Sequence, residues 1–204
     1  MDAKAEGESI GIGGWLPVRH GSGKISKALS PWFSVELDRS SAPWAYHKGE
    51  PFRAIAALEA LGALLGVAAF RQHYPRCADA VILLLGVGDN RGNRYALSRL
   101  QSSRFPLCCV VMELACQLEN SGARLSMRWS PRELNTEADQ LSNGDTSGFS
   151  EDRRINIKME EMQWVVLNKF MELGCAFAEE SKCADKEWPR AGKRRKRLRE
   201  TDPW

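Results

Sequence analysis

Four acidic residues stand out by their position in the chain: Asp2, Glu59, Asp89 and Asp139. Glu59 is an isolated carboxylate in a long apolar stretch, where burial is costly unless a partner compensates the charge. Asp89 ends an apolar run, and the carboxyl ends of parallel strands are where α/β sheets place ligand-binding groups. Mg²⁺ prefers such oxygen ligands, and two ions about 4 Å apart can promote phosphodiester hydrolysis. The four acids therefore predict a shared site for two Mg²⁺ ions, with Mn²⁺ as the alternative.

Each acid also has an ordinary structural interpretation. An aspartate at a strand end is commonly a turn or helix-cap residue, and Glu59 could simply face water. Asn135 and Asp139 are compatible with the capping and solvation of a short helix. The order of the four acids along the predicted elements favours the metal site over these alternatives.

The elements that must position the acids are strands and helices in alternation. Periodicity and breaker residues predict strands or helices, in chain order, over 10–18 (strand), 32–37 (strand), 51–70 (helix), 80–88 (strand), 95–100 (helix), 105–118 (helix), 125–129 (strand) and 135–142 (helix). The order β-β-α-β-α-α-β-α predicts an α/β fold, a mixed sheet with helices packed on it. The apolar run over 80–88 indicates a parallel strand covered on both faces, and helix 51–70 should be well buried.

Four short segments carry a resemblance to a known family. Asp2, followed at a distance by Gly13-Gly14-Trp15, is similar to the first catalytic strand and hairpin of ribonuclease H. Leu58-Glu59-Ala60 looks like the glutamate segment of its first helix, and Gly88-Asp89-Asn90 resembles its strand-end aspartate in reverse transcriptases. The segment 135–142 (NTEADQLS) resembles the last helix of retrotransposon members. The chain thus resembles a ribonuclease H-like domain of the retrotransposon reverse-transcriptase type, over roughly residues 2–143.

The resemblance implies a ribonuclease H-like mixed sheet and metal-dependent endonucleolytic hydrolysis of the RNA strand of RNA–DNA hybrids. The four acids would be both catalytic residues and metal ligands. The side chains expected to contact the nucleic acid are Asn90, Arg91, Asn93, Arg94, Arg132 and Asn135. The alternative is a catalytically inactive retroelement remnant that acts as a nucleic-acid-binding or interaction module. A third reading, an integrase or exonuclease of the same fold, is disfavoured by the segment 138–142 (ADQLS).

The chain divides by composition into four parts. Residues 1–143 are expected to form the ribonuclease H-like domain, with its first strand truncated because the sequence starts one residue before Asp2. Residues 144–158 are expected to be a linker, 159–181 a C-terminal amphipathic helix and 182–204 a basic, disordered tail. The basic run Lys193–Arg197 indicates nuclear localisation or contact with nucleic acid.

The bulk properties favour an intracellular protein, nuclear through this basic run or otherwise cytoplasmic. The chain has 204 residues, 43% of them hydrophobic, and a net charge of +3. Its six cysteines include no Cys-x-x-Cys pair, which predicts free thiols in a reducing compartment. A polar N-terminus and the lack of a continuous apolar run of 18 residues predict no secretory signal and no membrane partner. The oligomeric state is left open.

Overall fold

Three antiparallel strands form the first sheet. The computed structural model describes residues 1–21, 23–73 and 81–187, with the backbone alone for 182–187. The described strands are β1 (Asp2–Glu6), β2 (Ser9–Trp15), β3 (Trp32–Leu37), β4 (Ile82–Gly88) and β5 (Ala123–Trp129). β2 lies between β1 and β3, and the β1–β2 register pairs Asp2 with Gly13. Asp2 and Gly13 therefore lie on the same face of this sheet.

The described helices are α1 (Ile55–Ala69), α2 (Arg91–Arg99), α3 (Leu107–Ser121), α4 (Thr136–Ser142) and α5 (Leu167–Glu187). α1 and α4 pack on opposite faces of the antiparallel sheet. A side chain at Gly11 or Gly13 would overlap the backbone of α4, whereas Gly62 of α1 packs against Ile12 on the other face. Gly11 and Gly13 let α4 approach β2 closely. As a result, Ser142 of α4 contacts Asp2.

β4 and β5 form a separate parallel pair, in which Gly88 is the register partner of Trp129. The residue before β1 connects this pair to the first sheet: the Met1 ammonium donates a hydrogen bond to the carbonyl of Val87, at 3.1 Å. The order and pairing of the elements confirm the predicted α/β fold class. β1 is a strand that the predicted order left out, and α5 follows the eight expected elements.

The prediction that the run over 80–88 is covered on both faces is wrong. Leu84 and Gly86 are buried, while Leu83, Leu85 and Val87 on the opposite face are exposed. A continuous apolar run does not reveal whether a second layer covers it, so one-sided burial was not visible in the sequence. Ala80, the predicted first residue of this strand, lies outside the described residues.

The helix α1 is well buried, as the sequence predicted. Ten of its 15 residues are buried, and a 3₁₀ turn, Pro51–Ala54, precedes it. The stretch Pro51–Ala69 is long and apolar enough to cross a membrane by length and composition. The sequence criterion of an unbroken apolar run did not identify it, because charged residues interrupt the stretch. In this fold it packs against β1, β2 and α3, as the core helix of a globular domain does.

The segment expected as a linker, 144–158, packs against the antiparallel sheet. The indole nitrogen of Trp32 donates a hydrogen bond to the carbonyl of Ser150, at 2.8 Å. The amide of Ile155 donates to the carbonyl of Trp32, also at 2.8 Å, and the ring of Phe149 contacts those of Trp15 and Trp32. These contacts fix the segment to the edge of the sheet at β3.

The C-terminal helix begins at Leu167, eight residues later than the predicted residue 159. Leu167 and Met171 of this helix are buried, while Leu173 is exposed. The cause lies in α3, where the carboxylate of Glu113 accepts hydrogen bonds from the amides of Val165, Val166 and Leu167. This tertiary cap fixes where the helix begins.

Three of the cysteines, Cys108, Cys109 and Cys116, are free thiols, as predicted. Cys77 and the basic run Lys193–Arg197 lie outside the described residues, and the side chain of Cys183 is likewise not described.

Candidate functional site

Four separate elements supply the four predicted acids. Asp2 lies in β1, Glu59 in α1 and Asp139 in α4, while Asp89 immediately follows β4. Asp2 is buried, and the other three are partly exposed. Because each acid comes from a different part of the chain, their proximity depends on the assembled fold.

Asp2 is a buried carboxylate with one direct partner, Ser142 of α4. The Ser142 hydroxyl donates to Asp2 Oδ2 at 2.8 Å. Burial raises the pKa of Asp2, the Ser142 hydrogen bond opposes this, and the charges of Asp89 and Asp139 raise the pKa further. The ionised form of Asp2 is therefore disfavoured both by desolvation and by its acidic neighbours.

Glu59 is the acid with the most strongly perturbed environment. Burial raises its pKa to about 7, with a further contribution from the charge of Asp89, and hydrogen bonds from Asn90 and Asn93 counteract the shift. Asn93 is buried and donates through Nδ2 to Glu59 Oε2 at 3.1 Å and to the carbonyl of Ala56 at 2.8 Å. Asn93 thus fixes the orientation of the Glu59 carboxylate on α1.

The turn that carries Asp89 is held from the neighbouring strand. The indole nitrogen of Trp129, at the end of β5, donates to the backbone carbonyl of Asp89 at 2.7 Å. The guanidinium of Arg91 lies 4.4 Å from the centroid of the Trp129 ring, within cation–π range. Asn90 caps α2 by accepting a hydrogen bond from the amide of Asn93. These contacts fix the backbone from which the Asp89 carboxylate projects.

Asp139 is paired with a cation. Its Oδ1 lies 2.8 Å from Nη2 of Arg132, a residue of the 3₁₀ turn Arg132–Leu134 between β5 and α4. Its backbone carbonyl accepts hydrogen bonds from Ser142 and Asn143, at 2.9 and 2.6 Å. The backbone of Asp139 is thus anchored, whereas its carboxylate is held mainly by a surface arginine.

The electrostatic couplings place all four acids in one neighbourhood. Desolvation lowers the pKa of the Met1 ammonium to about 6, and the charges of Asp2, Asp89 and Glu59 act to raise it. The hydrogen bond and charge of Asp139, together with the charges of Asp2 and Asp89, raise the pKa of Arg132. The charges of Asp2 and Asp89 therefore act on both cations.

The four carboxylates are chemically suited to bind a divalent cation, but they are not arranged as a closed metal site. Carboxylates that raise one another's pKa are the oxygen ligands that a hard cation would stabilise. Within the described part of the chain, however, no three acidic, histidine or cysteine side chains lie close enough together to hold a metal ion. In addition, the carboxylate of Asp139 is paired with the guanidinium of Arg132 and not with a metal ion.

The residues predicted to contact nucleic acid fall into two groups. Arg91, Arg94 and Arg132 are exposed beside the acids, so their predicted role is sterically available. Asn93 and Asn135 are buried, and Asn135 donates to the carbonyl of Met1 at 3.3 Å. The contact of these two side chains with a nucleic acid stays a prediction, and both side chains already have hydrogen-bond partners inside the fold. Asn90 serves as the α2 cap.

Two supporting residues had no assigned role in the sequence prediction, Ser142 and Trp129. Ser142 stands one helical turn after Asp139, a spacing that places both on one face of α4, and that spacing was the available signal. Trp129 gave no signal, because its bond to the Asp89 carbonyl depends on the parallel register of β4 and β5.

Comparisons with known proteins add one structural similarity. No family model matches the chain, and no curated protein matches it. The solved structure of RNase H1 from the halophilic archaeon Halobacterium salinarum NRC-1 is similar over 71% of this chain and 92% of that chain. Its sequence identity is 16% and its TM-score 0.46. These values are too low to assign the chain to a family.

Proposed function

We propose that this chain is a metal-dependent endoribonuclease that hydrolyses the RNA strand of RNA–DNA hybrids, derived from a retroelement reverse transcriptase. The observation that carries the proposal is that carboxylates from four elements act on one another electrostatically: the charges of Asp89 and Asp139 act on Asp2, and those of Asp89 and Asp2 act on Glu59. Two of them, Asp2 and Glu59, have raised pKa values because of burial and of their acidic neighbours. A fold gains no stability from such a group, so a bound cation is its simplest explanation.

The chain's own residues would prepare the site for this reaction. Asp2, Glu59, Asp89 and Asp139 would hold two Mg²⁺ or Mn²⁺ ions, which when bound activate water and stabilise the leaving oxygen of a phosphodiester. Asn93 and Ser142 would keep the carboxylates of Glu59 and Asp2 in their orientations. Such supporting hydrogen bonds are commonly needed for metal affinity.

The substrate side of the proposal rests on the arginines beside the acids. Arg91, Arg94 and Arg132 are exposed. Arg94 lines a cavity with Glu59 and Asp89, and Arg132 is paired with Asp139, so these two could contact phosphates close to the acids. An RNA–DNA hybrid would be recognised by its shape and by its 2′-hydroxyl groups, not by its base sequence. The basic run Lys193–Arg197, which lies outside the described residues, is proposed to direct the protein to the nucleus or to contact nucleic acid.

A second candidate function is supported by a specific observation. Arg132 forms an ion pair with Asp139 at 2.8 Å, and the described residues contain no closed group of three metal-binding side chains. Both observations favour a catalytically inactive retroelement remnant that binds nucleic acid. Such a protein would keep the arginines and bind nucleic acid without cutting it.

The test is the cleavage of an end-labelled RNA–DNA hybrid in the presence of Mg²⁺, by the wild type and by Asp89→Asn. We expect cleavage of the RNA strand by the wild type and its loss in Asp89→Asn. Asp152→Asn, which neutralises an exposed aspartate in the 3₁₀ turn Glu151–Arg153, is the matched control and should remain active. Cleavage that persists in Asp89→Asn rejects the site. A wild type that binds the hybrid without cutting it supports the second candidate.

A further inference from the structure

We propose that the exposed side of the β4–β5 pair is a docking surface for an acidic amphipathic helix of a partner protein. This surface, called the β4–β5 face, consists of the side chains that alternate with the buried ones: Leu83, Leu85, Val87, Arg124, Ser126 and Arg128. The proposal does not depend on the acid group or on the proposed hydrolysis.

The two groups of strands are covered differently. α1 and α4 pack on opposite faces of the antiparallel strands, whereas the β4–β5 pair is buried on one face only. Leu84 and Met127 belong to the hydrophobic core, while Leu83 and Leu85 on the other face are 61% and 67% exposed. Parallel strands almost always have both faces covered, commonly by helices. Within the residues that the structure describes, the β4–β5 face therefore lacks a layer that parallel strands normally have.

Two rows of side chains make up the β4–β5 face. β4 contributes an aliphatic row, formed by Leu83, Leu85 and Val87. The parallel register places Arg124 beside Leu83 and Arg128 beside Val87. Because neighbouring strands are about 4.8 Å apart, the aliphatic row lies next to a row with a positive charge at each end. A contiguous exposed apolar surface with a polar rim is typical of an interaction site.

The apolar surface continues on the side of β4 that faces the antiparallel strands. A cavity of about 230 Å³ lies there, and Leu85, Val87 and Leu134 contribute to its lining. Leu134 is itself strongly exposed. Glu137, an acid that also lines this cavity, is already paired with Lys27. The positive charges thus flank the aliphatic row on its β5 side, and apolar side chains flank it on the other.

The two arginines determine which kind of partner fits. The side chains of Arg124 and Arg128 are exposed and have no hydrogen-bond or ion-pair partner in the described part of the chain. Carboxylates on a partner would complement them, and such charge complementarity selects against basic partners. The run Lys193–Arg197 of this chain carries the same sign of charge as the arginines, so it does not fit this rim.

A helix matches the length of the face. Leu83, Leu85 and Val87 span about 13 Å, because a strand rises about 3.3 Å per residue. About nine residues of a helix cover this length at about 1.5 Å per residue. Apolar residues on successive turns of the helix would contact the aliphatic row. Two acids about seven or eight residues apart on one flank would then contact Arg124 and Arg128.

The experiment measures the binding of two labelled synthetic peptides to the full chain by fluorescence anisotropy. The acidic peptide is a helix of about 20 residues with a leucine stripe and glutamates along one flank. The basic peptide has lysine in place of each glutamate and is otherwise identical. The comparison of the two peptides isolates the contribution of charge, since both present the same leucine stripe.

Two variants test the two rows of the face. Leu85→Ser interrupts the aliphatic row, and Arg124→Glu/Arg128→Glu reverses the charge of the rim. Phe177→Ser is the matched control for the first, because it removes an exposed apolar side chain of α5.

The second variant has a control of equal charge. Arg153→Glu/Lys169→Glu makes the same change in net charge at exposed positions outside the β4–β5 face. Thermal melting checks that every variant is folded.

We expect the wild type to bind the acidic peptide at least about tenfold more tightly than the basic one. Leu85→Ser should weaken the binding of the acidic peptide by at least about fivefold. Arg124→Glu/Arg128→Glu should weaken it by at least about tenfold and should make the basic peptide the tighter ligand. Both controls should stay within about twofold of the wild type.

Equal affinity of the two peptides for the wild type would overturn the proposal, and so would equal effects of a test variant and its control. Two further outcomes would assign the face to another occupant and also overturn the proposal. One is a loss of RNA–DNA hybrid binding in Arg124→Glu/Arg128→Glu but not in its control, which would indicate a nucleic-acid surface. The other is dimerisation of the wild type, measured by sedimentation, that Leu85→Ser abolishes, which would indicate a second copy of the chain.

Discussion

Two carboxylates on neighbouring core helices, Glu59 of α1 and Glu113 of α3, have opposite environments. Glu113 is fully buried, yet its pKa is lowered: burial acts to raise it, and hydrogen bonds from Val166, Val165, Gln117 and Leu167 outweigh the burial. Glu59 is less buried, and its pKa is raised to about 7. The difference lies in the neighbours, because amide donors surround Glu113 whereas Glu59 faces other acids.

The comparison separates structural from functional burial of charge. The four hydrogen bonds to Glu113 are 2.7–3.0 Å long. Three of them, from the amides of residues 165–167, fasten the start of α5 to α3, and the fourth comes from Gln117 of α3 itself. Its charge is therefore used inside the fold. The charges of Glu59 and Asp2 are only partly compensated by Asn93 and Ser142. That incomplete compensation is what a cation-binding site requires before its ligand arrives.

The largest effect on stability is expected from Glu113→Ala. The substitution leaves three amide donors at the start of α5 without their acceptor, and each buried unpaired donor costs about 1–3 kcal/mol. We expect the free energy of unfolding to fall by at least about 3 kcal/mol, as measured by urea denaturation. Glu119→Ala, at an exposed position of the same helix, should change it by less than about 0.5 kcal/mol. Equal losses in the two variants would remove the contrast with Glu59.

Glu59→Gln should have the reverse profile. Because supporting residues of metal sites are commonly worth 10–100-fold, loss of a carboxylate ligand should reduce the rate of hybrid cleavage by about 100-fold or more. The variant should be at least as stable as the wild type, because it removes a charge that the fold disfavours. The measurements are the initial rate of cleavage and the urea midpoint. A large loss of stability without loss of cleavage would make Glu59 a structural residue like Glu113.

The pH dependence of stability should differ in sign between the two glutamates. Between about 4.5 and about 7, the unfolded chain has released the Glu59 proton while the folded chain retains it, so stability falls as the pH rises through this window. For Glu113 the lowered pKa means that its contribution is present above the ordinary glutamate pKa and is lost as the pH falls. Urea midpoints across this range should therefore fall less steeply in Glu59→Gln than in the wild type.

Glu59 and Glu113 also show how much of the site could be predicted from the sequence. Both glutamates are isolated acids within apolar helices, so isolation alone does not distinguish the candidate metal ligand Glu59 from the structural residue Glu113. The helix of Glu59 was correctly predicted to be well buried, and the order of elements followed from periodicity. The partners that give the two glutamates opposite roles come from residues more than 30 positions away. No local pattern in the sequence contains them.

The remaining differences have similar causes. The apolar run of β4 did not show that only one of its faces is covered. The start of α5 depends on Glu113, and the burial of Asn93 and Asn135 depends on α1 and Met1. Local motifs located the four acids, whereas the burial, hydrogen bonding and ion pairing that distinguish them are tertiary.

The most direct test of the central claim, that the acid group is a cation site, is the melting temperature of the protein with and without Mg²⁺. A ligand at several times its dissociation constant stabilises a protein by about 1 kcal/mol, which corresponds to about 2–4 °C for a chain of this size. We predict this rise in Tm for the wild type and for Asp152→Asn, and none for Asp89→Asn. An equal rise in all three proteins, or no rise in the wild type, would contradict the account.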